Sequence, residues 1–342
     1  MSIRNELRQD RITKTWVVIA PGRGERPHDT NDEPDVTHNT SHCPFCPGHE
    51  AETPAEVFRL NDSNGGWRVR VVPNKFEVLG GDRGESRTVS PQGFVSMPGV
   101  GRHEVVIEMP EHGADLATVD VQAVRDVLTA YRTRFRALRD ENWALIVIFR
   151  NHGSAAGTSL SHPHSQIVAT PVVPIQIRHR FDIARQYFDD TGACLYLDVL
   201  EREIAGGRRI ILEQAQYVAF QPFASAVPFE TWIMPRVHRT SFGDASDQEL
   251  VDLALVLRTV LGGLRRALAD PSYNYVIESA PIGDEDRQYF VWHLRILPRL
   301  TTPAGFELGS GIRVNPSRPE ETAEILRRAI DSEAEVARKI SV

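Results

Sequence analysis

The pentapeptide His162-Pro163-His164-Ser165-Gln166 sets two imidazoles and a primary amide at alternate positions. Alternate side chains of a strand share a face, so the spacing predicts one face carrying His162, His164 and Gln166. The chain approaches this face through Asn151-His152-Gly153-Ser154-Ala155-Ala156-Gly157-Thr158-Ser159. Glycines in such a loop allow the backbone to come close to a ligand, and Asn151, Ser159 and backbone N–H groups can donate to phosphate oxygens. Together these groups make a phosphate pocket. The competing reading of any one histidine is a metal ligand or a packed side chain. A second chemical feature is Cys43-Pro44-Phe45-Cys46, whose spacing suits metal ligation or redox work. Three cysteines are too few for a disulfide framework, and both uses fit a reducing compartment.

The elements that must position these residues occur twice. Glu104 to Glu108 is predicted as a strand, followed by Met109-Pro110-Glu111-His112 and a helix with the apolar stripe Val121, Val124, Leu128, Tyr131, Phe135 and Leu138. The second half repeats the order. A strand at Glu230 to Met234 leads to Pro235-Arg236-Val237-His238 and a helix opened by a Ser246-to-Glu249 capping box, with the stripe Leu250, Leu253, Leu257, Val260 and Leu264. Each helix precedes an apolar strand, Ala144 to Phe149 or Tyr273 to Ile277, then a loop and a histidine-bearing strand. A repeat of this length indicates two copies of one unit. The expected fold class is α+β, with mainly antiparallel sheet and covering helices. The expected division is an N-terminal lobe over residues 1–180 and a C-terminal lobe over 181–342. Pro171 to about residue 190 is expected to cross between them, strands at Arg209 to Leu212 and Tyr217 to Phe220 to open the second lobe, and a helix after Ser317 to close the chain.

With 342 residues, the chain can fill one large core or two. A net charge of −7 offers no general attraction to nucleic acid. No apolar run of eighteen residues and no signal-like amino terminus is present, so no membrane partner and a cytoplasmic setting are expected.

The motif His162-x-His164-x-Gln166 resembles the histidine-triad superfamily, and nearly the whole chain is similar to its galactose-1-phosphate uridylyltransferase branch. Hydrolases of the superfamily carry a third histidine where this chain has Gln166. An amide holds a phosphoryl oxygen without exchanging protons, which suits leaving groups and acceptors that need no acid or base. The resemblance implies a ping-pong reaction in which His164 attacks the α-phosphorus of a nucleotide sugar and carries the nucleotide covalently. It also implies phosphate contacts from Arg23 and Arg26, a nucleotide-pocket role for Asn74, and positions beside the phosphates for Asn151 and Ser159. A structural Zn2+ held by Cys43, Cys46, His112 and His162 follows from the same resemblance, with His42, His49 and His103 as competing ligands. The implied assembly is a homodimer in which Phe306 and Glu307 reach the partner's site.

Departures from the family pattern bear on the substrates. Val291-Trp292-His293 breaks the second lobe's histidine pair, and Glu278 stands where another histidine ligand is expected, so no second metal is carried over. Gly305-Phe306-Glu307-Leu308-Gly309-Ser310-Gly311 looks like the version shared by some bacterial uridylyltransferases and plant-type ADP-glucose phosphorylase, and Ser165 occurs in that mixed group. The leading expectation is a transferase acting on UDP-glucose and a hexose 1-phosphate such as galactose 1-phosphate. The alternative is a phosphorylase of ADP-glucose or a related nucleotide sugar, with inorganic phosphate as acceptor. A third, non-enzymatic reading is a zinc-stabilised nucleotide-binding protein.

Overall fold

The computed structural model describes residues 5–25, 42–82 and 87–340. In chain order the strands and helices are β1 (Glu6–Gln9), β2 (Trp16–Ile19), β3 (Phe58–Asn61), β4 (Trp67–Pro73), β5 (Thr88–Val89), β6 (Val95–Ser96), β7 (Arg102–Ile107), α1 (Val121–Asp140), β8 (Leu145–His152) and β9 (His164–Thr170). They continue as α2 (Ile175–Thr191), α3 (Leu195–Gly206), β10 (Ile210–Gln214), β11 (Tyr217–Phe220), β12 (Thr231–Pro235), α4 (Asp247–Leu268), β13 (Tyr273–Glu278), β14 (His293–Pro298), α5 (Gly305–Ser310), β15 (Arg313–Asn315) and α6 (Pro319–Ile340).

Ten strands form one antiparallel sheet in the order β10-β11-β12-β14-β13-β8-β9-β7-β4-β3. The duplication is visible in that order. Outward from the β8–β13 seam, β8, β9, β7, β4 and β3 match β13, β14, β12, β11 and β10. Each half is three strands, a helix and two strands, and the seam places Tyr273 opposite His152 and Asn274 opposite Asn151.

Both predicted helices form with the expected faces. Val124, Leu128, Tyr131, Phe135 and Leu138 of α1 and Leu250, Leu253, Leu257, Val260 and Leu264 of α4 are buried in one continuous core. The Ser246 hydroxyl accepts from Glu249 N–H at 3.2 Å and the Glu249 carboxylate accepts from Ser246 N–H at 2.7 Å, closing the expected capping box. The other face of the first half is covered by a smaller cluster of Cys43, Phe45, Trp67, Val72, Val105 and Ile107.

The structure details the crossing and shifts one strand boundary. The crossing between halves is built of two helices, α2 and α3, and the expected boundary at residue 180 falls inside α2. Pro174 does not interrupt structure there; it stands at the N-cap of α2, where its missing N–H costs no hydrogen bond. His162 also lies ahead of its strand, which begins at His164. Pro163 has no N–H for the ladder, although its carbonyl still accepts from Glu108 N–H at 3.1 Å. Among the described residues, no helix is long and apolar enough to cross a membrane.

Candidate active site

His164 opens β9 opposite Ile107 of β7, on the face of the smaller cluster, and is buried. Its Nδ1 lies 2.9 Å from the carbonyl oxygen of His162. A carbonyl can only accept, so Nδ1 carries the proton and Nε2 keeps its lone pair. Burial lowers the pKa of His164, against the opposing hydrogen bond that its Nδ1 donates to the His162 carbonyl, so the ring is neutral at neutral pH. The edge of Phe45, between the two cysteines, meets this ring with centroids 5.5 Å apart. A buried, neutral imidazole with a free Nε2 has the lone pair that a nucleophile needs.

Gln166 follows on the same strand face, and its Oε1 lies 2.7 Å from Nε2 of His103. His103 therefore belongs beside Gln166 and Asn74, not among the metal donors. Asn74 begins a tight turn: its Oδ1 accepts from Phe76 N–H at 2.9 Å, and its own N–H donates to the His103 carbonyl at 2.7 Å. Asn151 lies next to the end of β8 with its Oδ1 accepting from Asn274 Nδ2 at 2.8 Å, and Asn274 Nδ2 also donates to the Ala156 carbonyl at 2.9 Å. The second half thereby holds the start of the small-residue loop and its middle at Ala156. Gly153 in that loop has φ 79° and ψ 158°, a conformation closed to other residues.

The donors of Cys43, Cys46, His112 and His162 all lie within 4.8 Å of one another. Cys46 Sγ is 3.3 Å from His112 Nδ1 and 3.6 Å from His162 Nδ1. The far nitrogens are held in turn, His112 Nε2 by Ser161 Oγ at 2.8 Å and His162 Nε2 by the Met109 carbonyl at 2.8 Å. Those outer bonds aim both Nδ1 atoms at the thiols. Burial, with the neighbouring Cys43, pushes the Cys46 thiol up to about 11, and burial lowers His162 to about 4. Both shifts disfavour charge on a bare site; a cation among the donors offsets that cost. Of the competing histidines, His42 is exposed and His49 Nδ1 donates to the Cys43 carbonyl at 2.6 Å.

The remaining expected contacts are less tightly placed. Arg23 is exposed in a short turn at Pro21–Glu25, and Ser159 is exposed in its loop. Arg26 lies outside the described residues. Phe306 is exposed on α5, whereas the Glu307 carboxylate accepts from Ala304 N–H at 2.9 Å and Val314 N–H at 3.2 Å. Glu307 thus fastens its own helix.

Sequence reasoning missed a buried polar network beneath the site. Ser165 points away from His164 and meets Tyr131 Oη at 2.5 Å, which meets Tyr275 Oη at 2.6 Å. Arg150 Nε donates to Glu108 at 3.0 Å, and its Nη1 donates to Tyr273 Oη at 2.6 Å. The polar residues alternating within these strands were the available signal. The second half preserves only the frame: His293 Nδ1 donates to the Val291 carbonyl at 3.0 Å, as His164 does to His162, but the ring is fully buried and stacked on Trp232.

Comparison with known proteins agrees over both halves. The description "Galactose-1-phosphate uridyl transferase, N-terminal domain" matches residues 2–174, and the corresponding C-terminal domain matches residues 180–326. ADP-glucose phosphorylase of Arabidopsis thaliana is 36% identical over 329 residues, covering 94% of this chain and 92% of that protein. Galactose-1-phosphate uridylyltransferase of Thermotoga maritima is 28% identical over 332 residues, covering 94% and 98%. The crystal structure of the Arabidopsis thaliana phosphorylase with bound ADP-glucose superposes with a TM-score of 0.82 at 34% identity, covering 95% of this chain and 99% of that one. With matches that run through both halves of the duplicated sheet, the chain belongs to the galactose-1-phosphate uridylyltransferase family and is a nucleotidyl-transfer enzyme.

Proposed function

We propose that this enzyme moves a nucleotidyl group from a nucleotide sugar to a phosphate-bearing acceptor through a covalent intermediate on His164. The observation that carries the reading is the Nδ1 bond of His164 to the His162 carbonyl, which leaves Nε2 free to attack. The Nε2 lone pair forms a bond to the α-phosphorus, and the bond from that phosphorus to the sugar 1-phosphate oxygen breaks with its electron pair. An oxygen of the acceptor phosphate then attacks the same phosphorus, and Nε2 leaves with the pair it brought. Sugar 1-phosphate and inorganic phosphate need no general acid, because phosphate monoesters have a second pKa of about 6. Gln166 serves as a donor to the phosphoryl oxygens, with Asn74, Asn151, Ser159, Arg23 and Arg26 as further ligands of the nucleotide and its phosphates.

Cys43, Cys46, His112 and His162 would hold zinc. Sulfur and nitrogen on a tetrahedral zinc stand about 3.5 Å apart, given bonds of about 2.3 and 2.0–2.1 Å. The Cys46 contacts of 3.3 and 3.6 Å suit that edge. Bound zinc would supply structure rather than hydrolysis, tying the amino-terminal segment to the turn that precedes His164. Thiolate ligands keep this role while reduced, which supports a cytoplasmic setting. A homodimer fits the exposed apolar side chains Phe306 and Leu308 of α5 and Val89, Phe94 and Val95 of the β5–β6 hairpin. Residues 1–180, with the nucleophile and metal donors, and residues 181–342 form the two lobes in this reading.

UDP-glucose with a hexose 1-phosphate remains one substrate pair. A second reading, phosphorolysis of an ADP-sugar, is favoured by the 36% identity with ADP-glucose phosphorylase against 28% with the uridylyltransferase. Radiolabelled UDP-glucose and ADP-glucose, each supplied with galactose 1-phosphate or phosphate, separate the two. Acid-labile, base-stable label on wild type but not on His164→Ala is expected. Equal label on both proteins would defeat the covalent role.

A further inference from the structure

We propose that His103 is a positioning residue for the transfer reaction, setting the direction in which the Gln166 amide points. The inference rests on the reading of His164 and Gln166 above. A carboxamide has nearly the same shape when its oxygen and nitrogen change places, so hydrogen bonds alone decide which end faces a ligand. For Gln166 that decision matters. Its nitrogen donates to phosphoryl oxygens, whereas its oxygen repels them.

The orientation can be traced to a group that has no choice. Val78 N–H is aimed at His103 Nδ1, 3.1 Å away. A backbone N–H only donates, so Nδ1 holds a lone pair and the ring carries its proton on Nε2. His103 is only 5% exposed, so this proton needs a protein acceptor, and Gln166 Oε1 lies at 2.7 Å. The Gln166 carbonyl is thus held toward His103, and its Nε2 donors face away. Asn74 is fixed by the same logic, because Phe76 N–H occupies its Oδ1. Asn74 Nδ2 stands 3.0 Å from His103 Nε2, but both atoms bear protons in this arrangement, so that approach is no hydrogen bond. Among the described residues the amide donors of Asn74 and Gln166 have no acceptor, which leaves them for a ligand. The Asn74 N–H bond to the His103 carbonyl at 2.7 Å anchors the turn and Gln166 to one residue.

Two measurements test this. In wild-type protein, two-bond nitrogen–proton NMR correlations report the tautomer of His103 directly. The expected result is Nε2–H; Nδ1–H or a doubly protonated ring would overturn the proposal. The second is a double-mutant cycle read by kcat and by the rate of covalent labelling, using whichever of UDP-glucose or ADP-glucose labels the wild type. His103→Phe keeps a ring but neither nitrogen, and it is expected to lower kcat by about 10- to 100-fold, the loss of part of one transition-state donor. KM should change much less. On a Gln166→Ala background the same substitution should cost almost nothing more, because both changes remove one interaction. His103→Gln, which retains one acceptor and one donor, should recover part of the rate. Multiplicative losses in the cycle would overturn the role of His103 while leaving His164 intact. Absence of label on wild type would instead remove the His164 reading, and the proposal with it.

Discussion

The backbone carbonyl of His162 accepts the Nδ1 proton of His164 at 2.9 Å, so the last member of the cysteine–histidine cluster fixes the tautomer of the proposed nucleophile. The two rings do different work from adjacent turns of chain. His162 sends Nδ1 toward Cys46 and Nε2 to the Met109 carbonyl, which immobilises the backbone that carries its own carbonyl. Pro163 stands between the two rings and the strand begins only at His164, while the edge of Phe45 meets both rings.

Metal removal should therefore act on the rate and not only on stability. Chelation, or Cys46→Ser, is expected to lower bound zinc and kcat together, by about 10-fold or more, as disturbance of a metal site's supporting bonds does elsewhere. Elemental analysis alongside turnover, before and after zinc is restored, checks this. Metal-free protein turning over at the full rate would separate the cluster from His164.

Asn274 is the second half's contribution to the small-residue loop. Its side-chain nitrogen holds Asn151 Oδ1 at 2.8 Å and the Ala156 carbonyl at 2.9 Å, leaving the Asn151 amide protons for a ligand. Asn274→Ala removes both anchors and is expected to lower kcat/KM by about 10- to 100-fold, corresponding to roughly 1–3 kcal/mol for such losses. Steady-state kinetics of Asn274→Ala, Asn151→Ala and the double variant should show strongly non-additive effects. Independent effects would mean that Asn274 serves the loop without acting through Asn151.

The duplicated unit was legible because each half repeats its periodicities: a 3.6-residue apolar stripe in α1 and α4, and period-two strands around them. His164 and Gln166 were legible from spacing on a strand, and His112 from the family pattern alone. What escaped was everything decided by which atoms meet across the sheet. His103 looked like a spare metal ligand because residue type cannot reveal that Val78 N–H claims its Nδ1. The bonds of the Glu307 carboxylate to Ala304 and Val314 N–H were likewise not readable from residue type. Asn274 carried no local signal, because its importance comes from the seam that pairs it with Asn151.

Gly153 should tolerate no side chain. Its φ of 79° with ψ of 158° is essentially reserved for glycine, and a Cβ there would meet Ser272 Oγ at 2.1 Å and Ser272 Cα at 3.0 Å. Gly153→Ala is expected to cost about 1–3 kcal/mol from backbone strain alone. Gly206, which has open space and no positive φ, is the control, and Gly206→Ala should stabilise by about 0.4–1 kcal/mol. Urea titration of both variants measures the difference. A Gly153→Ala protein as stable as wild type would show that the loop relaxes freely.

Acid should weaken the fold through His293 and Glu278 of the second half. Burial pushes the Glu278 carboxyl up, but Arg295, Arg180 and His293 together outweigh it and hold it at about 2. Burial lowers His293 to about 4 despite the neighbouring Glu278. In the unfolded chain these groups titrate near their ordinary values, about 4.3 for Glu and 6.5 for His. As pH falls below 6.5, unfolded His293 takes up a proton that the folded ring refuses until about 4. Below about pH 4.3, unfolded Glu278 does the same while the folded carboxylate resists to about 2. In both windows the unfolded state binds more protons, so stability present above pH 6.5 is lost progressively toward pH 2. Urea midpoints measured from pH 7 to 4 should fall less steeply for His293→Phe, which keeps a ring against Trp232. Glu278→Gln should lower the midpoint at neutral pH, because it leaves the cations of Arg180 and Arg295 without their shared carboxylate. A His293→Phe profile parallel to wild type would show that proton uptake by this ring does not drive the acid response.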